Sequence, residues 1–358
     1  MRPRSPAGAT ALLGGAGLCL LARAASKRSQ RLDLRGQVVV ITGGSRGLGW
    51  LLAREFATAG CQVAICARDE AELRRASQEL EQRYGAEVLA VPCDIADRRQ
   101  AEGLIEQVTA RFGRVDVLVN NAGVIQVGPI QTMRVEDFEQ ALGVMFWGVL
   151  YPTMAVLPQM LARGSGRIVN ITSIGGKLSA PHLLPYNAAK FAAVGLSEGL
   201  RAELAPAGVG VVTVVPGLMR TGSHLNAWFK GDRRKEFTWF ALGASLPVIS
   251  MDAERAARRI VDATGRNQAE VILSPPAQLA ARAHGLAPAT VTRALSLVDR
   301  VLPSANTTDP GASRGMELLE QRRSPVLLGL TSMGTSAARR FHQFPDSTTT
   351  PEKSNAHR

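Results

Sequence analysis

Three polar residues in the middle of the chain have the types and the spacing needed to move a proton onto a carbonyl oxygen. Tyr186 and Lys190 lie four residues apart in the run Tyr-Asn-Ala-Ala-Lys, and Ser173 lies thirteen residues before the tyrosine. Residues four apart on a helix share a face, so the lysine ammonium would favour the phenolate and lower the pKa of the phenol from ~10. A hydroxyl on a neighbouring strand end could then hold the carbonyl oxygen. The set predicts carbonyl reduction or the reverse oxidation, whereas the Tyr–Lys pair alone would more simply be a solvated helix face.

A glycine-rich run, Thr42-Gly43-Gly44-Ser45-Arg46-Gly47-Leu48-Gly49, follows directly after the apolar stretch 37–41. That stretch predicts a strand buried on both faces, and the spacing after Leu48 predicts a helix that Gly60 ends. A strand, a glycine turn and a helix in this order let the backbone approach a pyrophosphate, and the free N–H groups of the helix start bind the anion. Taken alone, the pattern also fits a tight turn that binds no ligand.

Strands and helices are predicted to alternate through the central part of the chain. Further strands are predicted at residues 62–67, 87–92, 115–119, 167–171, 210–215 and 270–273, and further helices at residues 70–84, 97–112, 135–161, 186–204 and 252–264. Alternating elements with nearly continuous Val/Ile strands predict an α/β fold with a doubly wound parallel sheet. The polar motifs all follow the carboxyl ends of strands, which is where such sheets bind ligands.

Together these residues resemble the short-chain dehydrogenase/reductase family, in its shorter single-domain branch. The resemblance extends from about Leu34 to Pro275 and rests on motifs in the family's order: Thr42 to Gly49, Asp94, Asn120-Asn121-Ala122-Gly123, Ser173, Tyr186, Lys190, and Pro216-Gly217 with Thr221. It implies a Rossmann-like fold and a nicotinamide-dependent oxidoreductase acting on CH–OH groups. Because the family often associates through its long helices, it also implies a homo-oligomer.

The resemblance assigns a role to each motif. Tyr186 would be the acid in reduction and the base in oxidation, Lys190 would bind the nicotinamide ribose and tune the tyrosine, and Ser173 would hydrogen-bond the substrate oxygen. Asn120 is expected to hold the central sheet together. The residues expected to bind the dinucleotide are Gly43, Ser45, Arg46, Gly47, Leu48 and Gly49 at the pyrophosphate and adenosine ribose, Asp94 and Ile95 at the adenine, Asn121, Ala122 and Gly123 under the adenine ribose, and Pro216, Gly217 and Thr221 at the nicotinamide end.

The end of the second strand favours NADP over NAD. Enzymes that use NAD usually place an acid there, to bind the ribose 2′-hydroxyl. Here the position is Ala67, followed by Arg68, and Arg46 lies in the glycine turn. Two guanidinium groups without a carboxylate suit a 2′-phosphate, although both arginines could simply be solvated.

One position departs from the family. An asparagine usually follows the Asn-Asn-Ala-Gly turn in the long helix, where it holds a water in a proton relay to the lysine. Here that position is Met145, and a thioether is a weak hydrogen-bond acceptor.

Charge and cysteine usage exclude several classes of function. Half of the formal net charge of +12 falls in residues 1–35, which argues against a nucleic-acid-binding face on the folded domain. Cys19, Cys61, Cys66 and Cys93 have no metal-ligand spacing. We interpret them as reduced, mostly buried thiols of a cytosol-like compartment, and we expect no metal site.

Residues 1–33 form a hydrophobic leader with basic flanks. Its uncharged part, residues 7–22, is shorter than the ~20 residues of a comfortable membrane span. A marginal membrane anchor, a cleaved signal peptide and a loosely ordered leader all fit. A spanning leader would place the catalytic domain on the cytoplasmic side, because the heavier basic flank follows the apolar stretch. Without one, the protein would be cytoplasmic.

The resemblance covers residues 34–275, an NADP-binding catalytic domain, and fades after Pro275. We expect a helical extension at residues 276–303 and a mostly disordered tail at 304–358, which is rich in Ser, Thr, Pro and Arg. Within the domain, residues 218–250 are rich in aromatic and aliphatic side chains. They predict either an apolar lid, and so a lipophilic carbonyl or alcohol as substrate, or helices that pack on the domain or a partner.

Two hypotheses of different class follow. The first is the NADP-dependent oxidoreductase described above. The second is a non-catalytic dinucleotide-binding sensor or scaffold, which Met145 favours and which the intact Ser173, Tyr186 and Lys190 oppose.

Overall fold

Seven parallel strands form the central sheet of this computed structural model, which describes residues 32–247, 249–304, 309, 311–320, 329 and 331–344. The strands of this sheet are β1 (Val38–Thr42), β2 (Gln62–Ala67), β3 (Val88–Pro92), β4 (Val117–Asn120), β6 (Gly166–Ile171), β7 (Val209–Val215) and β11 (Glu270–Ile272). Their spatial order is β11-β7-β6-β4-β1-β2-β3. The chain crosses from one half of the sheet to the other after β3, so β1 and β4 are neighbours and the fold is a doubly wound, Rossmann-like sheet, as predicted.

Helices cover both faces of the sheet. They are α1 (Gly47–Thr58), α2 (Glu70–Tyr84), α3 (Arg98–Phe112), α4 (Val135–Leu142), α5 (Gly148–Arg163), α6 (Leu184–Leu204), α7 (Arg233–Ser245), α8 (Ala253–Gly265), α9 (Pro275–Leu286), α10 (Pro288–Asp299), α11 (Gly315–Glu320) and α12 (Ser332–Arg340). Short strands complete the description: β5 (Gln126–Val127), β8 (Met219–Arg220), β9 (Trp228–Phe229), β10 (Met251–Asp252) and β12 (Ser313–Arg314).

Alternate residues of β1 face the two helical layers. Val39 and Ile41 pack in the cluster that contains residues of α1 and α8, whereas Val38 and Val40 pack in the cluster that contains residues of α3 and α5. Burial on both faces explains why the strands read as continuous apolar runs rather than as alternating ones.

The long helix predicted from residue 135 to 161 is interrupted. Residues Gly143–Trp147 form a π-helical turn between α4 and α5. Taken together, Val135–Arg163 is long and apolar enough to cross a membrane, but α5 packs against α3 and contributes to the domain core. A buried core helix of this length can be as apolar as a membrane-spanning helix. Length and hydropathy alone therefore do not assign this segment to a membrane.

The structure differs from expectation in the C-terminal tail, which we predicted to be mostly disordered. Residues 311–320 and 331–344 contain α11 and α12, and Leu318, Ala338 and Phe341 are buried. The helical extension predicted at 276–303 corresponds to α9 and α10, which are separated at Ala287. The leader lies outside the described residues, apart from Leu32 and Asp33.

Three of the four cysteines lie within the described residues. Cys61, Cys66 and Cys93 are free and buried. Cys19 falls in the leader, outside the described part of the chain.

Candidate active site

The glycine turn is held against the end of β4. Thr42 Oγ1 accepts the backbone N–H groups of Asn121 and Ala122 at 2.9 and 3.0 Å. The Asn121 side chain donates in return to the carbonyls of Thr42 and Gly43. A Cβ atom on Gly49 would lie 1.9 Å from the Gly43 carbonyl oxygen, so only glycine fits there. The turn is therefore as tight as close approach of a pyrophosphate requires.

Asn120 belongs to a chain of buried polar side chains that crosses the sheet. Its amide donates to Thr153 in α5 and, at 2.8 Å, to Asn170 in β6. Asn170 continues the chain to Ser197, which hydrogen-bonds Thr213 in β7. Asn120 thus joins β4, β6 and α5, which is the structural role that we expected for it.

Ser173, Tyr186 and Lys190 come together at the carboxyl ends of β6 and β7. A side-chain hydrogen bond joins Ser173 and Tyr186, and the Lys190 Nζ atom lies 5.8 Å from the centre of the Tyr186 ring. Lys190 is buried and donates to the Ile171 carbonyl at 2.7 Å. The three polar groups therefore form one cluster, as the helical spacing of Tyr186 and Lys190 and the family resemblance together predicted.

The titration of this cluster differs from the sequence expectation. Part of the Tyr186 side chain is exposed, but its phenol oxygen is surrounded by protein atoms, and burial raises the pKa of Tyr186. The hydrogen bond from Ser173 acts in the opposite direction and is the smaller effect. Burial lowers the pKa of Lys190 to about 8. The sequence predicted a lowered pKa for Tyr186. In the structure the pKa is raised, because the loss of hydration has a larger effect than the hydrogen bond to Ser173.

The nicotinamide-end residues lie directly beside this cluster. The Ile174 N–H donates to the Pro216 carbonyl at 2.7 Å, which ties the turn after Ser173 to the end of β7. A Cβ atom on Gly217 would lie 2.8 Å from Ser274 Oγ, and Thr221 is buried. These residues border the group formed by Ser173, Tyr186 and Lys190 on the β7 side.

Asp94 and Ile95 follow the end of β3, on the other side of the glycine turn. The Asp94 carboxylate accepts the Ala96 N–H at 3.0 Å, and Ile95 is buried against Gly148. With the glycine turn and residues 121–123, they line the carboxyl edge of β3, β1 and β4. The sequence-predicted site residues thus lie along one edge of the sheet.

Comparison with known proteins agrees with this geometry. The sequence profile of the short chain dehydrogenases matches residues 37–228. The chain belongs to the short-chain dehydrogenase/reductase family. It is 32% identical to dehydrogenase/reductase SDR family member 7B of Danio rerio over 266 residues, which is 73% of this chain and 84% of that protein. It is 33% identical to a dehydrogenase/reductase SDR family protein 7-like of Anopheles gambiae, over 74% of this chain and 83% of that one.

Solved structures of the family resemble this fold. A short-chain dehydrogenase of Streptomyces avermitilis is 32% identical with a TM-score of 0.62, covering 74% of this chain and 99% of that one. A family member of Burkholderia phymatum, in complex with NAD, is 26% identical with a TM-score of 0.66, covering 72% and 95%. As a family member, the protein is an oxidoreductase with an NAD(P) dinucleotide as cofactor and a small molecule as substrate.

At the relay position of the family, the structure has an apolar contact. Met145 is fully buried in the π-helical turn, packed with Ala189 and Tyr186. Its Sδ atom would lie 3.6 Å from a Cβ atom on Gly123. The methionine thus fills the space between the Asn-Asn-Ala-Gly turn and α6, and π-helical turns of this kind are frequent at functional sites.

Sequence reasoning missed Glu72, an acid at the start of α2. Arg46 pairs with the Glu72 carboxylate at 2.9 Å, and Ser45 Oγ donates to it at 3.1 Å. Arg68 is exposed, and its side chain makes no hydrogen bond or ion pair within the part of the chain that the structure describes. The adenosine end of the site therefore has two arginines and one carboxylate. The carboxylate comes from α2, whereas the sequence pattern concerns only the end of β2.

Most of the aromatic residues of the 218–250 segment pack internally. Leu225, Phe229, Phe237 and Phe240 are buried in one cluster, together with Ala338 of α12. This arrangement corresponds to the second of the two expectations for the segment, helices packed on the domain.

A buried acid connects α7 of this segment to the loop before Tyr186. The Glu236 carboxylate is fully buried, and it contacts His182 Nδ1 at 2.8 Å and accepts the Trp239 indole N–H at 2.7 Å. Asn187, inside the Tyr-Asn-Ala-Ala-Lys run, holds the same loop by donating to Ala180. These contacts hold the loop that precedes Tyr186.

Proposed function

We propose that the protein is an NADP-dependent oxidoreductase that interconverts a lipophilic carbonyl compound and its alcohol. The observation that carries the proposal is the cluster of Ser173, Tyr186 and Lys190, at the same edge of the sheet as the glycine turn. The bound nicotinamide supplies or accepts the hydride. In reduction, the Tyr186 phenol donates its proton to the substrate oxygen, which the Ser173 hydroxyl holds. The Lys190 ammonium stabilises the phenolate that this transfer leaves behind.

The preference for NADP rests on the charges at the adenosine end. Arg68 is exposed and free to pair with a 2′-phosphate, and Ala67 leaves no carboxylate at the usual ribose-binding position. Glu72 neutralises part of the charge of Arg46, which makes the preference smaller than two unpaired guanidinium groups would give. The Burkholderia phymatum protein was solved in complex with NAD, so the affinities of the present protein for NADPH and NADH are compared directly.

The lipophilic substrate class is supported by the apolar residues around the tyrosine. Val124 packs in the cluster that contains Tyr186, and Ile125, Leu183 and Trp239 lie partly exposed at the edge of the adjoining cluster. Partly exposed apolar side chains beside a polar reacting group suit a substrate that is mostly hydrocarbon.

A non-catalytic dinucleotide-binding protein is the second candidate. Met145 favours it, because the side chain next to Tyr186 cannot hold a relay water as the family's asparagine does. The Lys190 Nζ atom instead donates to the Ile171 carbonyl. The two candidates agree on dinucleotide binding and differ only in turnover.

A panel of carbonyl compounds and alcohols separates them. Purified full-length protein is incubated with NADPH or NADP⁺ and each compound, and the nicotinamide absorbance is followed. We expect turnover of lipophilic members, with NADPH preferred over NADH. Tight NADPH binding without turnover of any compound would support the sensor instead.

We further propose that the leader associates the protein with a membrane and leaves the catalytic domain on the cytoplasmic side. The described chain begins at Leu32, whose N–H donates to the Gly265 carbonyl ahead of β1. This is the amino edge of the sheet, so the site at the carboxyl edge would face away from a membrane held by the leader. Deleting residues 1–30 should move the protein from membrane fractions to the soluble fraction with its fold retained. Full-length protein that is already soluble at low salt would argue for a cytoplasmic enzyme.

A homo-oligomer is proposed from the outer face of α5. Trp147, Met154 and Leu161 recur every seven residues at the start of and along this helix, and each is more than 40% exposed. Phe191 on α6 is 40% exposed as well. Light scattering of the purified protein should give at least a dimer, and Met154→Lys should shift it toward the monomer. A monomeric wild-type protein would contradict this assignment.

A further inference from the structure

The C-terminal segment 331–344, here called the strap, lies across the dinucleotide-binding edge of the sheet. The Gly47 N–H donates to the Phe341 carbonyl at 2.7 Å, so the strap contacts the glycine turn. At its other end, a Cβ atom on Gly222 would lie 2.4 Å from Ala338 Cβ, so α12 is in close contact with the segment that follows Thr221. The strap thus connects the residues at the pyrophosphate end with those at the nicotinamide end.

Several contacts hold the strap in this place. The ring of His342 lies 4.7 Å from the ring of Trp50, and its Nε2 atom lies 2.8 Å from the Glu79 carboxylate. Arg340 pairs with Glu254 at 2.9 Å. Phe341 is buried in the cluster that contains residues of β1 and α1. A segment with an aromatic anchor in the main core is part of the folded domain.

Within the described residues, the oxygen of the Gln343 side-chain amide has a hydrogen-bond partner and its NH₂ group has none. Its Oε1 atom and its backbone carbonyl both accept from the Asn226 amide, at 2.7 and 3.1 Å. This pairing fixes the orientation of the Gln343 amide, so its NH₂ group faces the glycine turn. The Nε2 atom would lie 2.5 Å from a Cβ atom on Gly47, and it makes no hydrogen bond within the described part of the chain. The residue is nearly buried, with 6% of its surface exposed.

An amide N–H without a protein partner at the edge of a binding site can bond a ligand oxygen in place of water. The glycine turn beneath it is the element that receives the pyrophosphate of a dinucleotide in this fold. The Gly47 N–H already donates to the Phe341 carbonyl of the strap. The Gln343 amide therefore supplies a donor at this place that the glycine turn itself no longer offers. An amide N–H that meets a phosphate oxygen makes a charge-assisted hydrogen bond, which is stronger than one between neutral groups.

We propose that Gln343 is a pyrophosphate-binding residue and that the strap is the outer wall of the dinucleotide site. The inference rests on the proposed function, since it assumes that the glycine turn binds NADPH. It adds a binding residue from outside the family's motifs, supplied by the part of the chain that follows the catalytic domain. The strap would cover the bound cofactor in the position it already has, so that cofactor and strap stabilise each other.

Binding of NADPH to the full-length protein, measured by nicotinamide fluorescence, tests the proposal. Gln343→Ala should weaken NADPH binding about tenfold, which corresponds to ~1.4 kcal/mol. Gln343→Glu keeps the acceptor for Asn226 and places a carboxylate at the pyrophosphate, so it should weaken binding further. Adenosine 2′-monophosphate, which lacks the pyrophosphate, should bind all variants equally. Arg266→Gln is the control, because it removes an exposed ion pair with Asp262 at the end of α8, away from the strap and the glycine turn, and it should bind NADPH like wild type.

The outcomes separate this inference from the proposed function. Wild-type affinity for NADPH in both folded Gln343 variants would overturn the role of Gln343 and leave the proposed function intact. Failure of the wild-type protein to bind any nicotinamide dinucleotide would overturn both. Equal weakening of adenosine 2′-monophosphate would show that the substitutions merely disturb the fold, and would also overturn the assignment.

Limited trypsin digestion tests the wall itself. Arg339 and Arg340 are exposed on the strap, whereas Arg255 and Arg258 lie on the surface of α8 and serve as the internal reference. Saturating NADPH should slow cleavage after Arg339 and Arg340 more than cleavage in α8. Faster cleavage of the strap with NADPH present would mean that the strap and the cofactor compete for one place, which would contradict the proposal.

Discussion

Replacing Lys190 should change how the stability of the protein depends on pH, by an amount that follows from its burial. Burial lowers the pKa of Lys190 from 10.5 to about 8, because the ammonium loses its hydration. The single hydrogen bond that it donates, to the Ile171 carbonyl, replaces only part of that hydration. At about 1.4 kcal/mol per pKa unit, the penalty for keeping this lysine charged in the folded state is about 3 kcal/mol at most.

The direction in which the free energy of unfolding changes with pH depends on how many protons the folded and unfolded states bind. Between pH 8 and 10.5 the unfolded chain keeps the proton on Lys190 and the folded protein has released it, so the free energy of unfolding contributed by this group rises with pH. Integrated from pH 7 to pH 9.5, the rise is about 2 kcal/mol. Other groups titrate in the same range, so the quantity to follow is the difference between wild type and a variant that cannot titrate at this position.

Two variants serve for this measurement. Lys190→Met removes the amine, and Lys190→Gln also removes it but keeps a donor for Ile171. Urea unfolding at intervals between pH 7 and 9.5 should show the wild type gaining about 2 kcal/mol relative to each variant. A difference that stays constant across this range would refute the reasoning, since it would mean that Lys190 titrates alike in the folded and unfolded states. The wild-type rate of carbonyl reduction should fall as pH rises through about 8, because the ammonium beside Tyr186 is then lost.

Three further substitutions test the cofactor and relay arguments. Arg68→Asp should weaken NADPH binding far more than NADH binding, because it replaces a phosphate partner with a repulsive charge, and equal losses would show that Arg68 does not contact the 2′-phosphate. Glu72→Gln should release Arg46 from its ion pair and tighten NADPH a few-fold relative to NADH, and weaker NADPH binding would mean that Glu72 positions Arg46 rather than competing for it. Met145→Asn should leave turnover unchanged or raise it while lowering stability by about 1–3 kcal/mol, since it buries an amide, and a strong loss of turnover in a folded variant would show that the apolar side chain itself shapes the site.

Local patterns in the sequence were sufficient to predict the central sheet and the edge that carries the site. The strand at 62–67 and the helix at 70–84 were predicted to the residue, because buried parallel strands are continuous apolar runs and the helix is bounded by Asp69 and Gly85. Helical spacing predicted that Tyr186 and Lys190 share a face, and the family resemblance predicted that Ser173 lies beside them.

Contacts between distant segments could not be predicted in the same way. Glu72 reaches Arg46 across 26 residues, and no spacing rule connects the start of α2 to the glycine turn. The strap has a polar, Arg-rich composition that resembles a disordered tail, and its few apolar residues find their place only once β1 and α1 have folded. The raised pKa of Tyr186 was missed for a related reason, since the depth of its phenol oxygen depends on packing that the sequence does not specify.

The central claim is that Tyr186 transfers the proton in a reaction that uses a nicotinamide cofactor, and Tyr186→Phe tests it most directly. The variant keeps the ring that packs beside Lys190 and loses only the phenol oxygen. With a carbonyl substrate identified from the panel, NADPH affinity should stay near the wild-type value while turnover falls by at least the ~10²–10⁴-fold typical of losing an acid–base group. Near-normal turnover in the folded variant, with NADPH bound as in wild type, would contradict the assignment.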